Sequence, residues 1–236
     1  VQTPSAYIRA KQVILATNSA NPLLKRLSMS FIPIYDYSLM TETLSEEQWA
    51  SIGWLGSHGI ADSGNQFHYF RKTADNRMLW AGFDAIYHYG SDRNDELLQR
   101  PESFALLADQ FVLAFPTLAD VKFDFKWGGI IDTSARTTFF SGLAHRGQVA
   151  YAMGFTGQGV TASRFAALTM LDRLGSLNTE RTRLKMPRRF AVPFPPEPLR
   201  SAAVKLAQKS LAQEDATGKR GRFLKLLDTF GIGFDS

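Results

Sequence analysis

The chain has 236 residues, 44% of them hydrophobic and 12% aromatic, enough to bury one or two cores. It contains no cysteine, which excludes disulfides, thiolate metal ligands and any cysteinyl bond to a cofactor, and which is compatible with a cytoplasmic location. The net charge of +5 belongs to the tail: residues 1 to 178 hold 15 basic and 16 acidic side chains, residues 179 to 236 hold 12 and 6. The high pI is therefore no nucleic-acid signature for the whole chain.

No apolar run is long enough for a membrane-spanning helix, and no basic-then-apolar leader pattern opens the chain. The first residue is Val1, so a fragment of a longer protein is expected. Ala6 to Ala10 and Gln12 to Thr17 read as extended, with Val13 to Ala16 apolar as in a strand covered on both faces. Pro22 fits the first turn of a short helix. Ile32 to Leu44 reads as a long strand, and Ser45-Glu46-Glu47-Gln48 as a capping box opening a helix through Trp49. Gly53 to Gly64 reads as loop. Gln66 to Lys72 and Met78 to Phe83 form a hairpin around Asp75-Asn76-Arg77.

Pro101 to Phe115 is a helix that Pro116 ends. In the next strand Val121, Phe123, Phe125 and Trp127 alternate with Lys122, Asp124 and Lys126, predicting one buried and one wet face. Strands are also expected over Thr137 to Leu143 and Val149 to Met153, then helices over Gln158 to Leu174 and Leu199 to Gln213. The fold class is α+β: an antiparallel sheet with flanking helices, plus pieces of a Rossmann-like α/β layer at the two ends.

The most informative stretch runs from Val149 through Gly154-Phe155-Thr156-Gly157-Gln158-Gly159-Val160 to Ser163. A buried strand passes through glycines directly into a helix, whose first N–H groups are unpaired and partly positive. A tight turn with close helix–sheet packing is one reading. A dinucleotide fingerprint is another, since Gly157-x-Gly159-x-x-Ala162 fits G-x-G-x-x-A. It fails, because no second parallel strand with a ribose-binding acid follows. A third reading sets the turn against a flavin ring, where a helix N-terminus stabilises the charge that develops on reduction.

Several elements together resemble the FAD-dependent oxidoreductases of the D-amino-acid oxidase superfamily. Ala16-Thr17-Asn18 after an apolar strand resembles the family's ATG/ATN motif. Phe70 to Thr73, continuing through Leu79 to Gly82, resembles its substrate-domain hairpin. Trp127-Gly128-Gly129 resembles the strand returning toward the flavin, and Gly154 to Val160 the flavin-contacting turn. The nearest branch contains glycine, sarcosine and gamma-glutamylputrescine oxidases.

The resemblance implies hydride transfer from the carbon beside an amine nitrogen to FAD, and hydrolysis of the resulting imine. Oxygen or another carrier then takes the electrons. It implies cofactor contacts from Ala16, Thr17, Asn18, Trp127, Gly128, Gly154, Phe155, Thr156, Gly157, Gln158, Gly159 and Val160. The dinucleotide glycines and ribose-binding acid of the family's N-terminal strand are not in this sequence, so most of the FAD site is expected to lie in a preceding segment, and this piece alone is expected to be inactive.

Where amino-acid-oxidising relatives carry an arginine for the substrate carboxylate, Ile130-Ile131-Asp132 stands, which favours an amine substrate. The implied division is residues 1–27, the end of the FAD-binding domain; 28–146, the substrate-binding sheet; 147–176, the return strand and helix; and 177–236, a Pro-rich basic extension.

Lys126, Tyr69 and Arg71 are candidates for the substrate cavity, with Tyr35 and Tyr37 on a strand that can also line it. Lys72 and Lys126 are candidates for a cation near the flavin. A solvated face or sheet packing is the plain alternative for each. His58, His68, His88 and His145 are scattered without ligand spacing, so no metal is expected. Asp132, Ser134 and His145 lack a G-x-S-x-G elbow, which sets a hydrolase triad aside. In the tail, Leu199, Ala203, Leu206 and Leu211 form a stripe that would pack on the protein's own surface, with Arg200, Lys205 and Lys209 mostly off it. No nucleic-acid partner is expected. From another functional class, a non-catalytic binding or structural module without flavin stays open; a G-x-G-x-x-G strand upstream would decide for the enzyme.

Overall fold

The computed structural model describes residues 1–189 and 192–233. In chain order the elements are β1 (Val13–Leu15), β2 (Ile32–Thr41), α1 (Glu46–Ser51), β3 (Gly59–Ala61), β4 (His68–Lys72), β5 (Met78–Gly82), α2 (Pro101–Ala114) and β6 (Phe123–Thr133). They continue with β7 (Phe140–Ala144), β8 (Val149–Met153), α3 (Gly159–Leu174), α4 (Glu180–Arg183), α5 (Leu199–Thr217) and α6 (Arg222–Thr229). The mixed α+β class read from the sequence is the one observed. The chain divides into two compact units, one of Val1–Ile32, Ile131–Pro196 and Leu226–Ser236, the other of Pro33–Ile130 and Glu197–Lys225.

In the first unit β1, β8 and β7 form a three-stranded sheet. β1 runs parallel to β8, Val13 opposite Val149 and Leu15 opposite Tyr151, and β7 pairs with β8 antiparallel. The period-two pattern of β8 decides its packing. Ala150 and Ala152 are small and face α3, where Ala166 and Met170 close in with Phe139. Tyr151 and Met153 face the other way, onto Leu15, Leu27, Phe31 and Phe140.

In the second unit the strand order is β3-β4-β5-β2-β6. Tyr35, Tyr37 and Leu39 of β2 and Met78 and Trp80 of β5 form one core with Phe104, Leu107 and Phe111 of α2 and Trp49 of α1. The polar tips of these aromatics are matched: Trp80 Nε1 donates to Leu107 O at 3.0 Å, and Tyr37 Oη donates to Leu97 O at 2.8 Å. The capping box forms as expected, with Gln48 N–H on Ser45 Oγ at 3.2 Å and Ser45 N–H on Gln48 Oε1 at 2.8 Å. Asn76 takes a positive φ of 60° in the β4–β5 turn.

Three expectations are corrected. Within the segment read as loop, Gly59 to Ala61 forms β3, which pairs antiparallel with β4 and occupies its free edge. On β6 the inner positions are not all odd-numbered: a Cβ at Gly128 would lie 3.0 Å from the Tyr37 ring, and Lys126 Nζ stands 5.4 Å from the Phe104 ring centroid. Phe125 and Trp127 therefore point to the opposite face and are 52% and 38% exposed. On α5, Leu199 and Leu206 are exposed and Arg200 is buried.

Polar contacts, not a leucine stripe, hold α5 to its unit. Arg200 Nη1 donates to Ser91 Oγ at 2.9 Å, Gln208 Nε2 donates to Ala85 O, and Asp215 accepts from the Asn65 and Gln66 amides at 2.8 and 3.1 Å. Glu197, at the foot of α5, accepts from Tyr87 Oη at 2.6 Å and from the Gly90 and Ser201 amides. Its carboxyl is held at about 2, hydrogen bonding outweighing the upward push of burial.

Candidate functional site: a glycine turn at the carboxyl ends of two parallel strands

Because β1 and β8 are parallel and in register, the chain leaves both at the same end of the sheet. Ala16, Thr17 and Asn18 follow β1, and Gly154 to Val160 follow β8. The two motifs, far apart in sequence, thus meet at the carboxyl ends of neighbouring strands, the position where open α/β sheets hold their ligands. Asn18 sits at φ 47°, and among the described residues the buried Thr17 Oγ1 has no hydrogen-bond partner.

The turn after β8 needs its glycines for different reasons. Gly154 is at φ 77°, and a Cβ there would lie 2.7 Å from Ser134 Cβ and 3.0 Å from the Phe140 ring, so the position is closed by packing. Gly157, at φ 80°, and Gly159 open the other way: a Cβ on either meets nothing within 4 Å. Thr156 at φ 51° completes the bend, its Oγ1 donating to Gly154 O at 3.0 Å and accepting the Ser134 N–H at 3.2 Å. Phe155 stacks on Phe139 with ring centroids 5.4 Å apart.

Asp132, near the end of β6, organises this turn. Its buried carboxylate accepts the Gly154 N–H at 2.6 Å and the Phe155 N–H at 3.1 Å, and its carbonyl accepts the Thr156 N–H at 3.1 Å. Burial raises its carboxyl to about 6, and the two amide donors work against that rise. From the sequence, Asp132 was weighed only as a departure from an arginine position and as a triad member. Its role becomes visible once Thr133 is seen to bridge to Phe155.

With Gly154, Phe155 and Thr156 tied to Asp132, the next amides are left for a ligand. Among the described residues no acceptor takes the N–H of Gly157, Gly159, Val160 or Thr161. They open α3, a helix of 16 residues whose dipole adds partial positive charge at that end. Gln158 lies beside them as N-cap without a capping side-chain bond, and Val160 stands 96% exposed. Open space, unclaimed donors, an exposed apolar side chain and an orphaned threonine hydroxyl suit a flat ligand with an electron-rich edge. A flavin fits that description.

The remaining candidates belong to the second unit. Tyr69 and Arg71 share one face of β4, and Tyr69 Oη donates to Asp36 Oδ2 at 2.8 Å. Burial first, and then the Asp36 carboxylate, push the Tyr69 phenol well above its usual range, so it stays a donor. Lys126 and Gly128 lie on the opposite, helix-covered face, as does Lys72, whose Nζ stands 4.7 Å from the Trp49 ring. Tyr35 and Tyr37 are fully buried there. Trp127 lies on the face of Tyr69 and Asp36, because it alternates with Gly128 as Asp36 alternates with Tyr37.

The model of a protein family described as DAO, FAD dependent oxidoreductase, matches residues 1–173. The chain is 29% identical over 180 residues to gamma-glutamylputrescine oxidoreductase of Escherichia coli, covering 74% of this chain and 39% of that protein. It is 27% identical over 183 residues to the probable oxidoreductase OrdL of Haemophilus influenzae, covering 74% of this chain and 38% of that one. Well under half of either relative's length is thus spanned. Among solved structures, glycine oxidase from Geobacillus kaustophilus shares the fold with a TM-score of 0.58 at 19% identity, over 72% of this chain and 43% of that one. Matched over so much of its length, the chain belongs to the DAO family of FAD dependent oxidoreductases.

Proposed function

We propose that the protein oxidises the carbon–nitrogen bond of an amine or amino acid, with amines preferred. Bound FAD supplies the acceptor for a hydride from the carbon next to nitrogen, and the substrate imine then hydrolyses to a carbonyl compound and ammonia or a smaller amine. The observation that carries this reading is the set of unclaimed amides of Gly157, Gly159, Val160 and Thr161 at the start of α3, beside the carboxyl end of β1.

In this reading those amides and the α3 dipole hold the electron-rich edge of the flavin, while Asp132 fixes the turn that presents them. Ala16, Thr17 and Asn18 support the cofactor from β1. Residues 1–27 and 147–176 serve the cofactor, joined by Asp132 from within 28–146; the rest of 28–146 serves the substrate, and 177–236 extend the chain. Tyr69 and Arg71 line the substrate cavity. Ile130-Ile131-Asp132 in place of a carboxylate-binding arginine favours amines over simple amino acids. The names of the relatives agree in kind: a gamma-glutamylputrescine oxidoreductase, and in fold a glycine oxidase.

Purified at the full length of its relatives, the protein is expected to be yellow, with flavin absorption that a primary or secondary amine bleaches under anaerobic conditions. Full-length protein that stays colourless after incubation with FAD contradicts the reading. A panel of amines and amino acids, scored by bleaching rate, orders the substrates.

A further inference from the structure

The face of the second unit's sheet that carries Tyr69 holds a carboxylate that, among the described residues, forms no ion pair. Asp36 lies on β2 between two fully buried tyrosines, and its side chain alternates to the side opposite theirs. Its oxygens accept two hydrogen bonds, from Tyr69 Oη at 2.8 Å and from the Tyr37 amide at 2.9 Å. Among the described residues it has no ion-pair partner. Arg71, two positions from Tyr69, acts on the phenol and does not pair with the carboxylate. The nearby Asp84 adds like charge, and together with burial it raises the Asp36 carboxyl.

A half-buried carboxylate without a counter-ion carries a desolvation cost that an arriving cation offsets. The surroundings suit an ammonium group. Tyr69 and Trp127 present aromatic surface on the same face, 36% and 38% exposed, and Gly129 of β6, also on that face, leaves open space where a side chain would stand. Aromatic surface beside a carboxylate is the environment that recognises alkylammonium ions.

We propose that Asp36, oriented by Tyr69, binds the positively charged group of an alkylamine ligand. Resting on the amine-oxidising reading above, this makes the preferred substrate class one with a cationic amine, a diamine or an amine carrying a second charged nitrogen. Asp36 is then the residue that selects it, and Tyr69 positions Asp36.

The test is calorimetric titration of the FAD-loaded protein and its Asp36→Asn and Tyr69→Phe variants with 1,4-diaminobutane and with the uncharged 1,4-butanediol. The diamine should bind and the diol should not. Asp36→Asn should weaken the diamine by about tenfold or more, because a charge pair is lost, with the FAD spectrum unchanged. Tyr69→Phe, which removes only the orienting hydrogen bond, should weaken it by about threefold to tenfold.

Diamine affinity unaltered in both variants, or a diol that binds as well as the diamine, overturns the assignment; Tyr69→Phe alone decides if Asp36→Asn does not fold. Anaerobic bleaching separates this from the parent reading. Amine bleaching with an unchanged KM in Asp36→Asn overturns the Asp36 site alone. Diamine binding that depends on Asp36 without bleaching by any amine overturns the oxidase reading and leaves the site standing.

Discussion

Replacing Gly159 by leucine should leave the cofactor-free fold intact and weaken FAD binding markedly. A Cβ at this position meets no atom within 4 Å, so nothing in the chain resists the side chain. Gly159 is also the first residue of α3, where leucine is the better helix former by up to about 1 kcal/mol. Without FAD, the thermal midpoint should therefore hold or rise slightly. The open space has value only if a ligand fills it. If the flavin edge lies against the Gly157 to Thr161 amides, the leucine side chain occupies its place, and overpacking of about 1–3 kcal/mol weakens FAD by roughly tenfold to a hundredfold. Reconstitution with FAD, followed by absorbance or fluorescence quenching, reads both effects. Gly159→Leu protein that binds FAD as tightly as wild type shows that the space belongs to solvent.

Removing the Asp132 carboxylate should strongly destabilise the first unit. Asp132→Ala strands the Gly154 and Phe155 N–H groups at the root of the turn. Each buried donor left unpaired costs about 1–3 kcal/mol, so a loss of about 2–5 kcal/mol is expected in denaturant unfolding. The pH dependence carries a second signature. The folded carboxyl is raised to about 6 from an ordinary value of 3.8, so the native state binds the proton more tightly than the unfolded chain does. The contribution of that proton is fully present below about pH 4 and is lost as pH rises through about 6.

Asparagine does not titrate. The stability of Asp132→Asn relative to wild type should therefore move in the variant's favour by about 2 kcal/mol between pH 4 and pH 7. A flat difference across that range would show that the carboxylate is ionised at no cost and that the burial argument is wrong. Glu197 does not interfere: its contribution, present above its ordinary value of 4.5 and lost as pH falls toward about 2, is the same in wild type and variant and cancels in the difference.

Much of this architecture was legible in the residues. β8 announced itself through Val149 to Met153, and the alternation of Ala150 and Ala152 with Tyr151 and Met153 is what lets α3 approach one side while an aromatic core forms on the other. The capping box, the β4–β5 turn and the proline that opens α2 are local devices, and local devices can be read without the fold. The glycine turn was legible for the same reason, since the strand, the glycines and the helix are contiguous.

What could not be read is what depends on distant segments. β6 alternates cleanly from Val121 to Trp127, yet Gly128 must meet the Tyr37 ring and Lys126 meets Phe104, so the face exposed near Trp127 is set by β2 and α2. β3 exists only because β4 has a free edge for Gly59 to Ala61 to pair with. α5 is held by Arg200, Gln208 and Asp215, whose partners lie in loops about 110 to 150 residues away, and no hydrophobic stripe records that. Asp132 and Asp36 were missed on the same grounds: each is an unremarkable acid in a strand until its hydrogen-bond donors, 22 and 33 residues away, are brought beside it.

The central claim is that the start of α3 faces the flavin, and a crystal structure of the full-length protein with FAD tests it most directly. The account expects amide nitrogens between Gly157 and Thr161 within about 3.2 Å of the N1 and O2 edge of the isoalloxazine ring, with Asp132 still holding the Gly154 and Phe155 amides behind them. A ring bound elsewhere, or side chains from another segment filling the space over Gly157 and Gly159, would contradict it.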